Sequence, residues 1–298
     1  MGTTWTAELV APAGADIGAI RADLAAAVET VDAQMSTWKP ESDLMRLNRA
    51  EIGVWTEVPA ELFAVIEAGL EIGAASGGRF DIGLGGLVRA WGFGPADPDE
   101  TAIRAAMGRA VPGAGARLEL DRAGRRIRKT GDVALDLCGI AKGYALDLMA
   151  EALGRHGVEN WLVTLDGDLR AQGRKGPDTP WIAALEAPLR ERRTVHGYVE
   201  VVNAAVATSG DYRNWVALED RVLSHTMDPR NGLPCLHDLA SVTVIAPTGL
   251  MADAWATALL VAGPDAGPAL AEEQGLHAIF LRRGRDGTIS ELEVGAGD

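Results

Sequence analysis

Two stretches of this sequence carry residue types at spacings suited to chemistry. The first runs from Ala134 to Ala150 and reads A-L-D-L-C-G-I-A-K-G-Y-A-L-D-L-M-A. Its pattern predicts a short apolar strand bearing Asp136, a small-residue turn at Cys138 and Gly139, and an amphipathic helix with Lys142 in its first turn. Such a turn presents backbone N–H groups at a helix start, where anions bind, and sets an acid and a base a few ångströms apart. An ordinary strand-to-helix crossover with a surface lysine has the same pattern. The second stretch is M-A-D-A-W-A-T-A-L, in which Asp253 and Thr257 stand four residues apart and share one helix face. An acid in an Ala/Leu-rich helix is costly to bury unless it is paired or bound to a cation. The plainer reading is an Asp in a first helical turn, favoured there by the helix dipole.

Two further features qualify. His225 lies in S-H-T-M-D-P-R-N-G, before a turn in which Pro229 and Gly232 sit where tight turns want them. A structural hydrogen-bonding role is the default for a lone histidine. Trp91 sits in the glycine-punctuated run R-F-D-I-G-L-G-G-L-V-R-A-W-G-F-G-P. A ring platform and a hydrophobic plug are both open to it. Glycines at 83, 85, 86, 92 and 94 interrupt that run too often for a regular element.

The elements that must position these residues follow from periodicity. Thr3 to Val10 alternates as a strand, and Ala15 to Met35 repeats apolar residues at helical spacing. Met35 to Asn48 reads as a polar turn segment holding Trp38 beside Pro40. A second helix starts at Pro59 and stops at Gly77-Gly78. Asp97 to Val111 reads as a third helix, and Ala116 to Thr130 as a hairpin turning at Ala123-Gly124. Trp161 to Gln172 reads as two strands joined at Asp166-Gly167-Asp168, followed by strands at Trp181 to Ala187 and Thr194 to Ala204. Leu239 to Pro247 is a β-branched strand leading through Thr248, a helix cap, into the helix of Asp253. A final helix and two strands close the chain. With no internal repeat and no long linker, the 298 residues read as one continuous α+β body with a cleft.

Composition narrows the partners. The net charge is −14 with no basic tract, which argues against nucleic acid and anionic membrane. An acidic protein that takes a phosphate-bearing ligand needs a local remedy, commonly a divalent cation held by its own carboxylates. Cys138 and Cys235 lie far apart in unlike contexts, so no disulfide framework or zinc site is indicated. No stretch reaches the ~18 apolar residues of a membrane span. Met1 is followed by G-T-T-W-T-A-E-L, without a charged segment and apolar core, so the chain as written reads as soluble and cytoplasmic with no export signal.

Taken together, M-S-T-W-K-P-E-S-D-L-M-R-L-N, S-G-G-R-F-D-I-G-L-G-G-L-V-R-A-W-G-F-G-P, L-D-L-C-G-I-A-K-G-Y-A, T-S-G-D-Y-R-N-W, S-H-T-M-D-P-R-N-G, A-S-V-T-V-I-A-P and M-A-D-A-W-A-T-A-L resemble the FAD:protein FMN transferases, the ApbE-type flavin transferases. The blocks fall in family order over nearly the whole chain. The resemblance implies an α+β fold, with a mixed, largely antiparallel sheet, flanking helices and a cleft between two packed subdomains of one flavin-transferase domain spanning 1–298. It implies Mg²⁺-dependent cleavage of FAD and transfer of FMN to a Ser or Thr hydroxyl of an acceptor flavoprotein, with release of AMP. It also implies that Met1, Trp38, Trp91, Gly92, Phe93, Asp136, Lys142 and the Met227 backbone line the FAD site. Asp253, Thr257 and a backbone carbonyl near Gly139 would ligate the metal. Many members of that family are periplasmic lipoproteins, whose trimmed signal would not show here, so the compartment stays open.

Physical chemistry agrees with that assignment. Phosphoryl transfer asks mainly for positioning and charge neutralisation, and Mg²⁺ takes hard oxygen ligands of this kind. His225 is then the candidate base for the incoming hydroxyl, with Asp136 the other candidate catalytic group. The chain departs from the family pattern at Cys138, where Ser is usual, Gly86 for Pro, Trp38 for Tyr, and Asp166 for Gly. Trp for Tyr keeps a ring platform, whereas Asp166 adds charge near a phosphate ligand. An FAD pyrophosphatase using water as acceptor, and a non-enzymatic FAD-binding or storage protein, are the alternatives.

Overall fold

The computed structural model describes all residues except Met1, 95–98, 100, 102, 105–109, 214, 219–220, 285 and 296–298, and the side chains of 215–218 and 221–223. Its centre is an antiparallel sheet in the order β1-β5-β6-β9-β14-β15-β16. These strands are β1 (Trp5–Leu9), β5 (Trp161–Leu165), β6 (Asp168–Gln172), β9 (Ala204–Gly210), β14 (Leu239–Ala246), β15 (His277–Arg283) and β16 (Ile289–Val294). Side chains alternate across a strand, and β14 shows both destinations. Val242, Val244 and Ala246 enter the main core under the helices, while Ile245 packs on the opposite face with Leu185 and Ile279.

The helical layer is built by α1 (Ile17–Met35), α5 (Ala141–Arg155) and α6 (Gly249–Glu273). Asp16 starts α1 by accepting the Ala19 N–H at 2.9 Å, and Ile20, Leu24, Val31 and Met35 form its buried stripe. Thr248 starts α6 by accepting the Met251 N–H at 3.3 Å. At Gly263, with φ 84° and ψ −179°, the backbone leaves the helical conformation just before Pro264, so α6 is two helices joined at a break, as expected near the C-terminus. The other sheet face is covered by the hairpin β7 (Trp181–Glu186) and β8 (Val195–Val201) through Trp181, Ala183 and Val201. The β5–β6 hairpin turns at Asp166 and Gly167, with φ of 53° and 95°, the conformation that a two-residue hairpin requires.

A smaller sheet in the order β2-β4-β3 joins Trp55–Glu57 (β2), Leu118–Asp121 (β3) and Arg126–Lys129 (β4), the last two forming the expected hairpin. Backbone hairpins β10 (Trp215–Leu218) with β11 (Arg221–Ser224), and β12 (Met227–Asp228) with β13 (Leu233–Pro234), follow β9.

Several expectations are corrected. The segment at Met35 to Asn48 contains a helix, α2 (Asp43–Arg49), capped by Ser42 and anchored by fully buried Leu44 and Leu47. The glycine-punctuated run also contains one, α4 (Gly85–Ala90), following α3 (Ala60–Ala75) in order. Gly85 is there because a Cβ would lie 2.8 Å from the Leu135 carbonyl oxygen. The residues before Asp136 form no strand; Ala134 makes an isolated parallel bridge to Leu84. Thr194 to Ala204 is not one strand, since Asn203, at φ 52°, turns the chain between β8 and β9. The expected helix at 97–111 lies mostly outside the described residues, although the Ile103 N–H bonds the Asp99 carbonyl at 2.9 Å and Ala110 and Val111 are not helical. Among the described residues, no helix is long and apolar enough to cross a membrane.

Candidate functional site

Helices α5 and α6 meet at their N-termini, and this crossing organises the charged half of the site. Gly143 and Gly249 touch backbone to backbone: a Cβ on Gly143 would sit 2.0 Å from the Gly249 carbonyl oxygen, and one on Gly249 would sit 2.3 Å from that of Gly143. Only glycine permits that approach. It brings Asp253, one turn into α6, onto the start of α5, where its Oδ2 accepts the Gly143 N–H at 3.0 Å. The anion site expected at the start of α5 is therefore filled from within by Asp253, a carboxylate of the neighbouring helix.

Asp253 is only 4% exposed. Burial pushes its carboxyl up to about 7, opposed by the Lys142 ammonium and reinforced by the Asp168 carboxylate. Lys142 projects from the first turn of α5 to Asp168, Nζ to Oδ2 at 2.7 Å. Burial alone would lower that ammonium, but the Asp168 and Asp253 carboxylates outweigh it and raise it above the ordinary lysine range. Asp168, 2% exposed, is held in turn by the Thr208 N–H on its Oδ1 at 3.1 Å. One turn beyond Asp253, Thr257 Oγ1 lies 3.0 Å from Ser209 Oγ and faces Gly139, where a Cβ would come 3.1 Å from it. Asp253, Thr257 and the Gly139 turn are thus brought together, with Lys142, Asp168 and Ser209 beside them.

This donor set is all oxygen: one buried carboxylate, one hydroxyl and the backbone of a turn. It fits Mg²⁺, which keeps several positions for water and phosphate and does not need an all-protein cage. Among the described residues, no group of three or more His, Cys, Asp or Glu that could hold a metal ion comes together.

The apolar half gathers around α4 and the turn before β12. Trp91 is 4% exposed and packs with Leu84, Leu87, Ala90, Ile103 and Met227, so it is a plug in the core and not an open platform. Its indole Nε1 is buried with no partner among the described residues. Gly92, at φ 77°, turns the chain so that Phe93 meets His225 edge to face, ring centroids 6.2 Å apart and planes at 71°. His225 and Met227 share the strand-turn that Asp228 closes, its carbonyl accepting the Gly232 N–H at 2.9 Å.

Asp136 joins the two halves through the backbone. Its N–H donates to the Ile82 carbonyl at 2.8 Å, the Gly85 N–H donates to Ala134 at 2.9 Å, and its Oδ1 accepts the Cys138 N–H at 2.8 Å. The acid-base pair expected across this turn does not form between Asp136 and Lys142: Lys142 takes Asp168, and Asp136 closes its own turn. Trp38, 64% exposed, stands on the α1–α2 loop, where its N–H meets Ser36 Oγ at 3.2 Å. Met1 lies outside the described residues. Cys138 and Cys235 are free thiols. Asp166 accepts the Thr3 hydroxyl at 2.8 Å, which engages its added charge with β1's leading segment.

Sequence reasoning missed Asp168 and Ser209 as site residues. Both stood in segments already singled out, the Asp166-Gly167-Asp168 turn and T-S-G-D-Y-R-N-W. What was lacking was the strand register that aims them at α5 and α6.

Comparison with known proteins shows the family. The chain is 35% identical to an FAD:protein FMN transferase of Klebsiella pneumoniae over 96% of its length and 83% of that protein's. It is 32% identical to the one from Escherichia coli K12, with the same coverage. The apo flavinyl transferase ApbE of Pseudomonas stutzeri superposes with a TM-score of 0.86 at 37% identity, covering 100% of this chain and 95% of that one. The flavin transferase ApbE of Vibrio cholerae does so with 0.87 at 29%, covering 99% and 95%. The ApbE family model matches residues 1–280. The chain therefore belongs to the ApbE family.

Proposed function

We propose that this protein is an FAD:protein FMN transferase that moves FMN from FAD to a Ser or Thr hydroxyl of an acceptor flavoprotein and releases AMP, with Mg²⁺ as cofactor and the whole of residues 1–298 acting as one functional domain. The observation that carries this reading is the seating of Asp253 and Thr257 against the Gly139–Gly143 turn, beside a buried lysine in a chain of net charge −14.

Asp253, Thr257 and a carbonyl near Gly139 would hold the cation. Bound there, Mg²⁺ supplies charge neutralisation and alignment for a pyrophosphate. Lys142 spends one of its three donors on Asp168, leaving the others for phosphate oxygens, and its raised pKa keeps it cationic at any working pH. Trp38 supplies an exposed ring for the flavin, and Met227 and Phe93 give the pocket an apolar wall.

The acceptor oxygen attacks the riboflavin-side phosphorus; one phosphoester forms, one anhydride bond breaks, and AMP leaves in line. The hydroxyl proton passes to the His225 imidazole, which Phe93 supports edge-on. The test is to incubate the protein with FAD and Mg²⁺, with and without an acceptor protein carrying an exposed Ser or Thr. The expected result is acceptor mass increased by FMN and AMP formed in equal amount. AMP and FMN without acceptor labelling would make the protein a pyrophosphatase; intact FAD with a flavinylatable acceptor would make it a binding protein.

A further inference from the structure

Asp147 is buried and belongs to neither half of the site, yet it ties together the elements that carry it. Its Oδ1 accepts the Gly249 N–H at 2.7 Å and Arg170 Nη1 at 2.5 Å, and its Oδ2 accepts the Leu250 N–H at 2.9 Å. A carboxylate on α5 thus caps the first turn of α6. That helix already has a cap of its own in Thr248, so Asp147 adds a link between helices to a terminus that is capped without it. Arg170 stands two residues beyond Asp168 on β6, so both point to the same sheet face. The strand therefore grips α5 twice, through Asp168 on Lys142 and through Arg170 on Asp147.

The geometry points to Asp147 and Arg170 as a positioning pair for the metal site. Gly143 and Gly249 let the two helices touch, and that contact alone leaves them free to slide or rotate. The two N–H bonds to Asp147 fix the height of α6 against α5. Height is what decides whether Asp253 reaches the Gly143 N–H and Thr257 faces Gly139 at the same time. Charge-assisted bonds of this kind are short and directional, which suits them to holding a register. Neither residue touches the reacting atoms; both act through α6. This inference rests on the metal reading above, and it assigns that site a support that residue spacing does not reveal.

The test measures metal binding directly, with Mn²⁺ as a paramagnetic probe titrated into the full-length protein and followed by electron paramagnetic resonance. Asp147→Asn keeps the volume but turns a donor amide toward a backbone N–H, and about a tenfold to hundredfold weaker Mn²⁺ Kd is expected, the range found when a partner that orients a metal ligand is lost. Turnover should be regained at high Mg²⁺, with a raised metal requirement and a nearly unchanged kcat. Thr248→Ala removes the local cap of the same helix and should lower the melting temperature while leaving the Mn²⁺ Kd unchanged. A folded Asp147→Asn that binds Mn²⁺ as tightly as wild type would overturn the proposal, as would an equal loss in Thr248→Ala, which would reduce the effect to helix stability. Should Asp147→Asn fail to fold, Arg170→Gln decides: it spares both backbone bonds, about a threefold weakening is expected, and wild-type affinity overturns the proposal. Asp253→Ala binding Mn²⁺ like wild type would overturn the metal reading and this one with it.

Discussion

The carboxylate of Asp253 sits on the backbone N–H of Gly143, 3.0 Å away, so the acid of one helix closes the N-terminus of another. A carboxylate so placed is stabilised by the facing helix dipole and destabilised by burial, and burial wins, leaving its pKa near 7. An acid held in that balance suits a cation site, because a bound cation supplies the charge partner that the fold leaves incomplete.

The first prediction tests that placement. Asp253→Ala removes the one carboxylate of the set and should abolish Mg²⁺-dependent turnover, with Mn²⁺ affinity falling by more than about 100-fold. Circular dichroism should still report the native fold, since the lost bond to Gly143 is partly offset by release of a desolvated charge. Thr257→Val removes a neutral ligand and should act in the same direction by less. Full turnover of Asp253→Ala in chelator would end the assignment.

The helix crossing makes a second prediction, on stability. A methyl group at Gly143 would enter within 2.0 Å of the Gly249 carbonyl oxygen, and backbone cannot yield as a side-chain tip does. Gly143→Ala should cost about 3 kcal/mol or more, the upper end for overpacking. Denaturant unfolding would measure it. Gly154→Ala, on the same helix with open space around its Cα, should be neutral or stabilising and serves as the control.

Lys142 and Asp168 yield a third prediction, with a pH sign. Lys142→Met strands a carboxylate that is 2% exposed and should destabilise by roughly 3 kcal/mol, the low end for a broken buried pair because the lysine side chain keeps 27% exposure. The folded-state pKa of Lys142 is raised, so its contribution is fully present below the unfolded value of about 10.4 and is lost only as pH rises through the higher folded value. The stability difference between wild type and Lys142→Met should therefore hold from neutrality to about pH 10 and shrink above it. A difference already fading near pH 8 would show that the ammonium is not raised.

These predictions divide along what was readable in the sequence. Asp253 and Thr257 were visible as a pair because their relation is set by one helix, and the turn at Gly139 with Lys142 because it is local. The link from Lys142 to Asp168 was not, since it depends on which sheet neighbour α5 crosses, a relation between residues 26 positions apart. The same holds for Asp253 and Gly143, 110 apart. Local misreadings had local causes. Ser42 caps a two-turn helix inside a stretch rich in turn residues, and glycines in α4 serve close packing against Leu135 where breaking a helix was expected of them. Trp91 was open to both platform and plug, with the plug the commoner role for such a residue, and its burial among Leu84, Leu87, Ala90 and Met227 makes it the plug.

The exposed indole leads to a fourth prediction. Trp38 is the large aromatic of the α1–α2 loop and is open for stacking. Ring contact contributes roughly 0.5 to 1.5 kcal/mol, so Trp38→Ala should weaken FAD binding by about threefold to tenfold. Wild type should quench flavin fluorescence on binding and the variant should quench it less. An unchanged dissociation constant would put the flavin elsewhere.

The last prediction separates transfer from binding and concerns His225. Its ring meets Phe93 at 6.2 Å on the apolar side of the site, while the oxygen ligands and Lys142 occupy the charged side. On the function proposed above, that division of labour gives the imidazole to the acceptor and the charged cluster to the pyrophosphate. A base acting on the acceptor hydroxyl contributes about 10²- to 10⁴-fold. His225→Ala should therefore lose at least 100-fold in acceptor labelling while its FAD and Mn²⁺ dissociation constants stay within about twofold of wild type. The comparison needs acceptor mass, AMP release and FAD affinity measured on the same preparation. Loss of FAD affinity in parallel with labelling would make His225 a cofactor-binding residue. Labelling at the wild-type rate would shift the base to Asp136, whose carboxylate closes its own turn on Cys138 in this structure and would have to leave it to take a proton.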